Sequence, residues 1–280
     1  MATKLRGIDV SDWQGGISWS KAKSHISFAM LRAGYGKGNL DKRFKYNATE
    51  CNRLGIPFGV YWFSYAYNES MAKAEADYCI KAIKDFKVEY PVCFDFEYDS
   101  SAYATKNGVT LTASKLAAIG KAFLSRVEEL GYYAMNYTNP DYLSKGFSQL
   151  TSKYDTWLAQ WGVSSPTKSC GIWQDSATLK VEGIYGNADS DYAFNDYAKI
   201  IKEAGLNHLS DKPAPVPDKH VTLVGKTMQE VHDYYKALYN DMADEVIAAK
   251  WGAGDERFSK LSDAGYDPYY IQSIVNAKLE

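Results

Sequence analysis

Over roughly its first 205 residues the chain alternates short apolar runs with amphipathic stretches. Eight runs have the period-two alternation or unbroken apolar character of strands: Leu5–Ser11, Ser27–Ala33, Pro57–Tyr65, Tyr90–Glu97, Tyr132–Tyr137, Thr156–Trp161, Gly171–Asp175 and Asn187–Phe194. Between them, Ser70–Phe86 and Thr112–Leu130 space their apolar residues as helices do. Such alternation predicts parallel strands joined by helical crossovers. Eight strands in this arrangement predict an α/β fold closed into a barrel. The connections after the fifth strand are shorter and carry weaker helical signals, so the last three units are expected to be degenerate.

The pattern changes at His208–Val221 (HLSDKPAPVPDKHV), a Pro-rich polar segment that reads as a semi-rigid linker. This divides the chain into a barrel over 1–207, a linker over 208–221 and a helical module over 222–280. Within the module, Met228–Met242 and Ala243–Lys250 look helical. After Trp251-Gly252-Ala253-Gly254 a charged helix starts at Asp255, breaks at Ala264-Gly265-Tyr266, and gives way to a last helix from Asp267-Pro268. Asp followed by Pro is a good N-cap and first-turn pair. A small C-terminal three-helix bundle is the expectation.

Composition narrows the function. With 34 acidic against 32 basic residues the net charge is -2, leaving no basic surplus for phosphates, so nucleic acid is not the expected partner. No run approaches the roughly 18 apolar residues that would span a membrane. Met1–Arg6 lacks the apolar stretch of a signal peptide, which predicts synthesis in the cytoplasm. Cys51, Cys79, Cys93 and Cys170 are scattered and read as free thiols, and the four histidines form no metal-binding motif. Neither a metal nor another cofactor is expected, nor an obligate protein partner. No GxSxG motif or Cys–His dyad supports an acyl-enzyme. Gly34-Tyr35-Gly36-Lys37-Gly38 resembles a phosphate-cradling loop but lacks either common nucleotide fingerprint, so it reads as a flexible loop after strand two.

The strongest chemical signal is Pro91-Val92-Cys93-Phe94-Asp95-Phe96-Glu97-Tyr98. Alternate strand residues face opposite ways, so Val92, Phe94 and Phe96 should face the helices while Cys93, Asp95 and Glu97 face the barrel axis. Two carboxylates at the C-terminal end of such a strand are too costly to bury idly, and that end of a barrel is where chemistry sits. Asp9 has the same parity between Ile8 and Val10, and the last strand adds Asp189 and Asp191. Acids from three strands at one rim can push some pKa values up and leave others ionised, which glycoside hydrolysis needs. Tyr61, Trp62, Tyr137, Trp157, Trp161 and Trp173 lie near the ends of strand runs. Half are expected in the core. Tyr61, Trp62, Tyr137 and Trp161, with Gln174 and Asp191, are the candidates for sugar contacts.

These residues resemble a known family. Gly7-Ile8-Asp9-Val10-Ser11-Asp12-Trp13-Gln14-Gly15 is similar to the opening motif of the glycoside hydrolase family 25 lysozymes, the Chalaropsis-type muramidases. Asp95-Phe96-Glu97, Trp157-Leu158-Ala159-Gln160-Trp161, Trp173-Gln174 and Gly186-Asn187-Ala188-Asp189 follow in family order. The resemblance implies an irregular, TIM-like (β/α) barrel that cleaves the β-1,4 bond between N-acetylmuramic acid and N-acetylglucosamine in bacterial peptidoglycan. By the same resemblance Glu97 matches the general acid, and Asp9, Asp95 and Asp189 match supporting carboxylates. Asp175 stands where Tyr is usual, and Ala188 and Ser190 replace larger apolar residues. The segment from Ala243 to Asp267 is similar to a cell-wall-binding repeat of phage lysins, with Trp251, Arg257 and Tyr266 as candidate contacts. A barrel joined to such a repeat resembles a bacteriophage endolysin, made in the host cytoplasm and acting on the wall. Another glycosidase such as a chitinase, or a non-catalytic glycan-binding barrel, is compatible with the same rim. An Asp-x-Glu strand end also resembles sites in which the substrate's own acetamido group attacks the anomeric carbon.

Overall fold

The computed structural model describes residues 4–209, 239–263 and 268–279. It divides into two compact units, Met1–Leu209 and Ser210–Glu280. In the first, all eight anticipated runs form strands, and a short extra one joins them. They are β1 (Leu5–Val10), β2 (Phe28–Tyr35), β3 (Asn39–Leu40), β4 (Phe58–Phe63), β5 (Val92–Asp95), β6 (Ala134–Thr138), β7 (Asp155–Ala159), β8 (Ile172–Leu179) and β9 (Ala188–Ala193). The sheet runs β1-β9-β8-β7-β6-β5-β4-β2-β3, and a β1–β2 pairing closes eight strands into a barrel. β3 lies outside the closure as the return strand of a hairpin with β2, pairing Gly34 with Leu40. The glycine-rich segment read as a flexible loop is therefore the turn of that hairpin.

Most neighbours are parallel, as crossover connections require. β9 is antiparallel to both β8 and β1. The cause is length: only residues 180–187 separate β8 from β9, too few for a parallel crossover of a dozen or more residues. The expected degeneracy of the last units shows, among the described residues, in the absence of a helix between β7 and β8 and between β8 and β9, and in the reversal of the closing strand.

Among the described residues, seven α-helices belong to this unit: α1 (Trp19–Ala22), α2 (Phe44–Leu54), α3 (Glu69–Ile83), α4 (Tyr98–Lys106), α5 (Ala113–Glu129), α6 (Pro140–Lys145) and α7 (Tyr197–Glu203). α3 and α5 match the two amphipathic stretches and start on side-chain caps, Asn68 accepting from the Met71 N–H and Thr112 from the Lys115 N–H. Alternation then sorts the core. Val92, Phe94 and Phe96 pack outward with Phe123 and Phe147 in the layer under the helices. Cys93, Met135, Trp157 and Ile172 pack inward with Phe28 and Tyr90. Burial pushes the Cys93 thiol well above its ordinary range, so it stays neutral packing material.

The second unit has three described helices: α8 (residues 239–247), α9 (Gly254–Asp263) and α10 (Pro268–Leu279). Met242, Val246, Trp251, Leu261, Ile271 and Val275 are buried against one another. α8 runs through the anticipated break between Met242 and Ala243. The linker residues 210–221, most of the extra segment about 226–241, and Tyr266 lie outside the described residues.

Candidate active site

The strand ends at one mouth of the barrel surround an open groove of about 800 Å³. Its floor is acidic: Asp9 from β1, Asp95 from β5, Asp189 from β9, and Glu97 just beyond β5. The run ending in Asp95-Phe96-Glu97 does not continue as strand to Glu97. Glu97 is the N-cap of α4 in extended conformation, and its N–H donates to Ser100 Oγ at 3.0 Å. The Tyr142 hydroxyl donates to the Glu97 carbonyl at 2.9 Å. The backbone under the carboxyl is thus tied from two sides, while the side chain is only half buried.

Burial raises the pKa of both acids at this strand end. Asp95 is held well above its ordinary range by desolvation, then by the Glu97 charge, against the opposing pull of Arg32. Glu97 is raised by desolvation and by Asp99, while its hydrogen bond with Asp95 pulls the other way. Each carboxyl thus changes the other's proton affinity, and the two titrate as a pair. Asp95 Oδ1 is buried with no hydrogen-bond partner among the described residues, so it is open to a donor arriving in the groove.

Across the floor, Asp9 and Asp189 stand opposite each other in antiparallel register. Asp9 is raised well above its ordinary range by desolvation and then by Asp191 and Asp189. Asp189 is raised by desolvation. Asp191 is pushed up to about 8, chiefly by burial. Gln174 binds this cluster to the walls. Its Nε2 donates to Asp9 Oδ2 at 2.8 Å, and its Oε1 accepts from the Tyr137 hydroxyl at 3.3 Å and Trp161 Nε1 at 3.2 Å.

The structure brings Glu97, Asp95, Asp9, Asp189, Tyr61, Tyr137, Trp161 and Gln174 to the groove. Two expected contacts are corrected. Trp62 cannot line the groove, because Tyr61 does and neighbouring strand residues face opposite ways. It is buried under the helices with Nε1 donating to the Gly36 carbonyl at 3.2 Å. Asp191 is wholly buried below the floor, where Oδ1 accepts from Trp157 Nε1 at 2.7 Å; it can reach the groove only through its neighbours. In the helical unit Trp251 is a core residue whose Nε1 donates to Glu245 Oε2 at 2.9 Å, and half-buried Arg257 donates to Gln272 Oε1 at 2.5 Å.

Other groove residues, Arg32, Trp13 and Tyr98 among them, carried no expectation as contacts. Arg32 lines the floor, with Nε donating to Asp41 Oδ2 at 2.8 Å and Nη2 to Asp12. Its signal was a lone charge within an apolar strand. The rim carries Trp13, Trp161 and Tyr98, which are 85%, 56% and 55% exposed. Trp13 lay in the opening motif. Exposed rings around an open polar floor suit a sugar, whose faces are apolar and whose edges hydrogen-bond.

A barrel whose C-terminal mouth holds paired carboxyls beneath aromatic walls defines a glycoside hydrolase. The chain belongs to the glycosyl hydrolases family 25, whose family model matches residues 8–184. A CW_7 repeat matches residues 240–279. Lysozyme M1 of Streptomyces globisporus is 32% identical over 211 residues, 70% of each chain. The lysozyme of Streptococcus phage Cp-7 is 26% identical over 273 residues, covering 96% of this chain and 68% of that one. Among solved structures, the bacterial lysozyme of Streptomyces coelicolor superposes with a TM-score of 0.61 at 27% identity, over 75% of this chain and 100% of the other. The modular autolysin LytC of Streptococcus pneumoniae, solved with a synthetic peptidoglycan ligand, gives 0.59 at 25% identity over 68% of this chain. This chain covers 46% of that autolysin.

Proposed function

We propose that this chain is a peptidoglycan hydrolase, a muramidase that cleaves the β-1,4 bond between N-acetylmuramic acid and N-acetylglucosamine and acts on the bacterial wall as a lysin. The observation that carries this reading is the Asp95–Glu97 pair at the groove floor, two coupled acids with raised pKa values in a chain of family 25. The lysozyme relatives supply the substrate class, and the C-terminal repeat supports retention on the wall.

The chemistry follows from the shared proton. An acetamido N–H of the substrate that donates to Asp95 favours the ionised form of Asp95 and moves the proton onto Glu97. Glu97 then protonates the glycosidic oxygen as that bond breaks, its electron pair leaving with the oxygen. The acetamido oxygen, made more nucleophilic by Asp95, forms the new bond at the anomeric carbon. Water, giving its proton back to Glu97, opens the resulting ring. Asp9 and Asp189 border the positive charge that develops on the sugar, and Gln174 keeps Asp9 in place. Arg32 favours the ionised state of Asp95.

Digestion of purified walls followed by borohydride reduction and mass spectrometry tests the reading. Fragments ending in reduced muramic acid are expected. Ends in reduced N-acetylglucosamine, or release of fragments from chitin but not from walls, would favour a different glycosidase. Wall binding without cleavage would favour a non-catalytic barrel.

A further inference from the structure

Beside the groove lies a second cavity of about 670 Å³ that the reaction does not use, within the roughly 300–1,000 Å³ usual for small-ligand sites. Four elements build it. The β2–β3 hairpin gives Tyr35 and Lys37, the segment after β4 gives Tyr65 and Tyr67, α3 gives Glu75 and Tyr78, and α4 gives Tyr103. We infer that this pocket is a second saccharide site, binding an uncharged N-acetylhexosamine chain next to the catalytic groove.

The glycine-rich hairpin turn has its explanation here. Gly36 and Gly38 have φ of +51° and +74°, and a Cβ at either would stand 3.0 Å from the Tyr65 ring or 3.3 Å from the Tyr78 ring. Only glycine lets the turn take this backbone while lying flat against those rings. The turn forms one wall of a tyrosine-lined cavity.

The rings are arranged for a flat amphipathic guest. Tyr103 sits 5.2 Å from Tyr65 and 6.2 Å from Tyr67. Tyr35, Tyr78 and Tyr103 are 38%, 36% and 40% exposed. None of the five hydroxyls hydrogen-bonds within the chain among the described residues. The hydroxyls of Tyr137 and Tyr142, by contrast, bond to Gln174 and the Glu97 carbonyl. Ring faces for apolar sugar faces, with free hydroxyls at their edges, are what a neutral saccharide requires. Charge argues against a stem peptide or an anionic wall polymer. Among the described residues, Lys37 is the only cation lining the pocket. The one acid, Glu75, is buried, with its oxygens taken by the Ser64 hydroxyl at 2.5 Å and the Tyr65 N–H at 3.0 Å. Glu75 thereby fixes the backbone at Tyr65 and is not presented to a ligand.

The pocket is one ring away from the chemistry. Tyr65 packs at 5.2 Å on Phe63, which lines the catalytic groove, and α4, which carries Tyr103, starts immediately after Glu97. A saccharide held here would keep the wall beside the groove between cuts. The choice of a wall saccharide as guest rests on the muramidase reading.

Hydrogen–deuterium exchange on the full chain carrying Glu97→Gln, with chitohexaose as probe up to its solubility limit, tests the site. Protection is expected in peptides covering 34–40 and 65–78. Tyr78→Ala, and separately Tyr103→Ala, should abolish that protection while melting temperature and any protection of peptides covering 8–14 and 92–98 are kept. No protection at 34–40 and 65–78, or protection that survives both substitutions, overturns the proposal. Failure of the wild-type chain to cut walls would overturn the muramidase reading, leaving this binding result to be judged by itself.

Discussion

Gln174 on β8 donates to Asp9 on β1 across 2.8 Å, spanning the antiparallel strand β9 that separates them. The same side chain accepts from Tyr137 and Trp161, so one amide orients an acid and two aromatic walls. Gln174→Leu removes all three bonds with little change in volume. Leaving buried polar groups without these partners costs about 1–3 kcal/mol, so kcat/KM should fall by roughly five- to 160-fold. Turbidity kinetics on purified walls measure this. An unchanged rate would reduce Gln174 to a packing residue.

Glu97→Gln should remove nearly all lytic activity and leave the melting temperature close to wild type, because the side chain is half buried at the groove and its backbone ties remain. General acid catalysis contributes about 10²–10⁴-fold. A variant that keeps more than about a tenth of the rate is incompatible with Glu97 as proton donor.

Much of this site was legible because strand parity is a strict rule. Ile8 and Val10 around Asp9, and Val92, Phe94 and Phe96 around Asp95, point the acids inward. The same rule should have separated Tyr61 from Trp62, which adjoin on β4 and cannot share a face. What parity cannot give is pairing across distance. Arg32 meets Asp12 and Asp41 from loops after different strands, and nothing in the spacing of the three announces the contact. Glu97 looked like a strand residue because its neighbours alternate; Ser100, three residues on, is what turns it into a helix cap. The reversal of β9 was readable from the short connection at 180–187 and was obscured by the parallel pattern before it.

Arg32 offers a test through pH. Its charge lowers the pKa of Asp95 against burial, so it favours the ionised form that orients the acetamido group. In Arg32→Gln the Asp95 pKa should rise, and the acidic limb of the kcat/KM profile, where Asp95 must lose its proton, should move to higher pH. Arg32→Lys keeps the charge and should leave that limb near its original position. Both variants loosen buried Asp41, so melting curves are needed alongside. A limb that stays fixed in Arg32→Gln would remove Arg32 from the electrostatics of the pair.

The helical unit is acidic. From Asp241 to Glu280 there are eight acidic and four basic residues, a net charge of 4 − 8 = −4. Attraction to anionic wall polymers should therefore be weak, and recognition should rest on hydrogen bonds and stacking. Trp251 is committed to the core, whereas Tyr269 and Tyr270 are 76% and 49% exposed, which makes them the better candidates for stacking. Co-sedimentation of the Glu97→Gln chain with purified walls should survive added salt. A steep loss between low and high salt would indicate electrostatic recognition.

The stereochemical outcome separates the possible ways of breaking the bond. Asp95 ends β5 and Glu97 lies two residues on, with Cα atoms roughly 6.5–7 Å apart by extended-chain geometry, and each shifts the other's pKa. An inverting pair needs about 6.5–9.5 Å between carboxyls for the water it activates, and a proton shared by this pair would require a much shorter separation. Both rise from the end of β5, so a sugar lying over them would turn the far face of its anomeric carbon to neither. The acetamido oxygen of N-acetylmuramic acid can reach that face. Attack by it, followed by water from the original side, gives net retention without a covalent bond to the enzyme. NMR of the first-formed product from the β-linked glycan should therefore show the β anomer, and mass spectrometry of quenched reactions should find no glycosylated protein. Asp95→Asn should slow the reaction without abolishing substrate binding. An α product would overturn substrate assistance and make Asp9 or Asp189, on the opposite side of the floor, the base for a hydrolytic water.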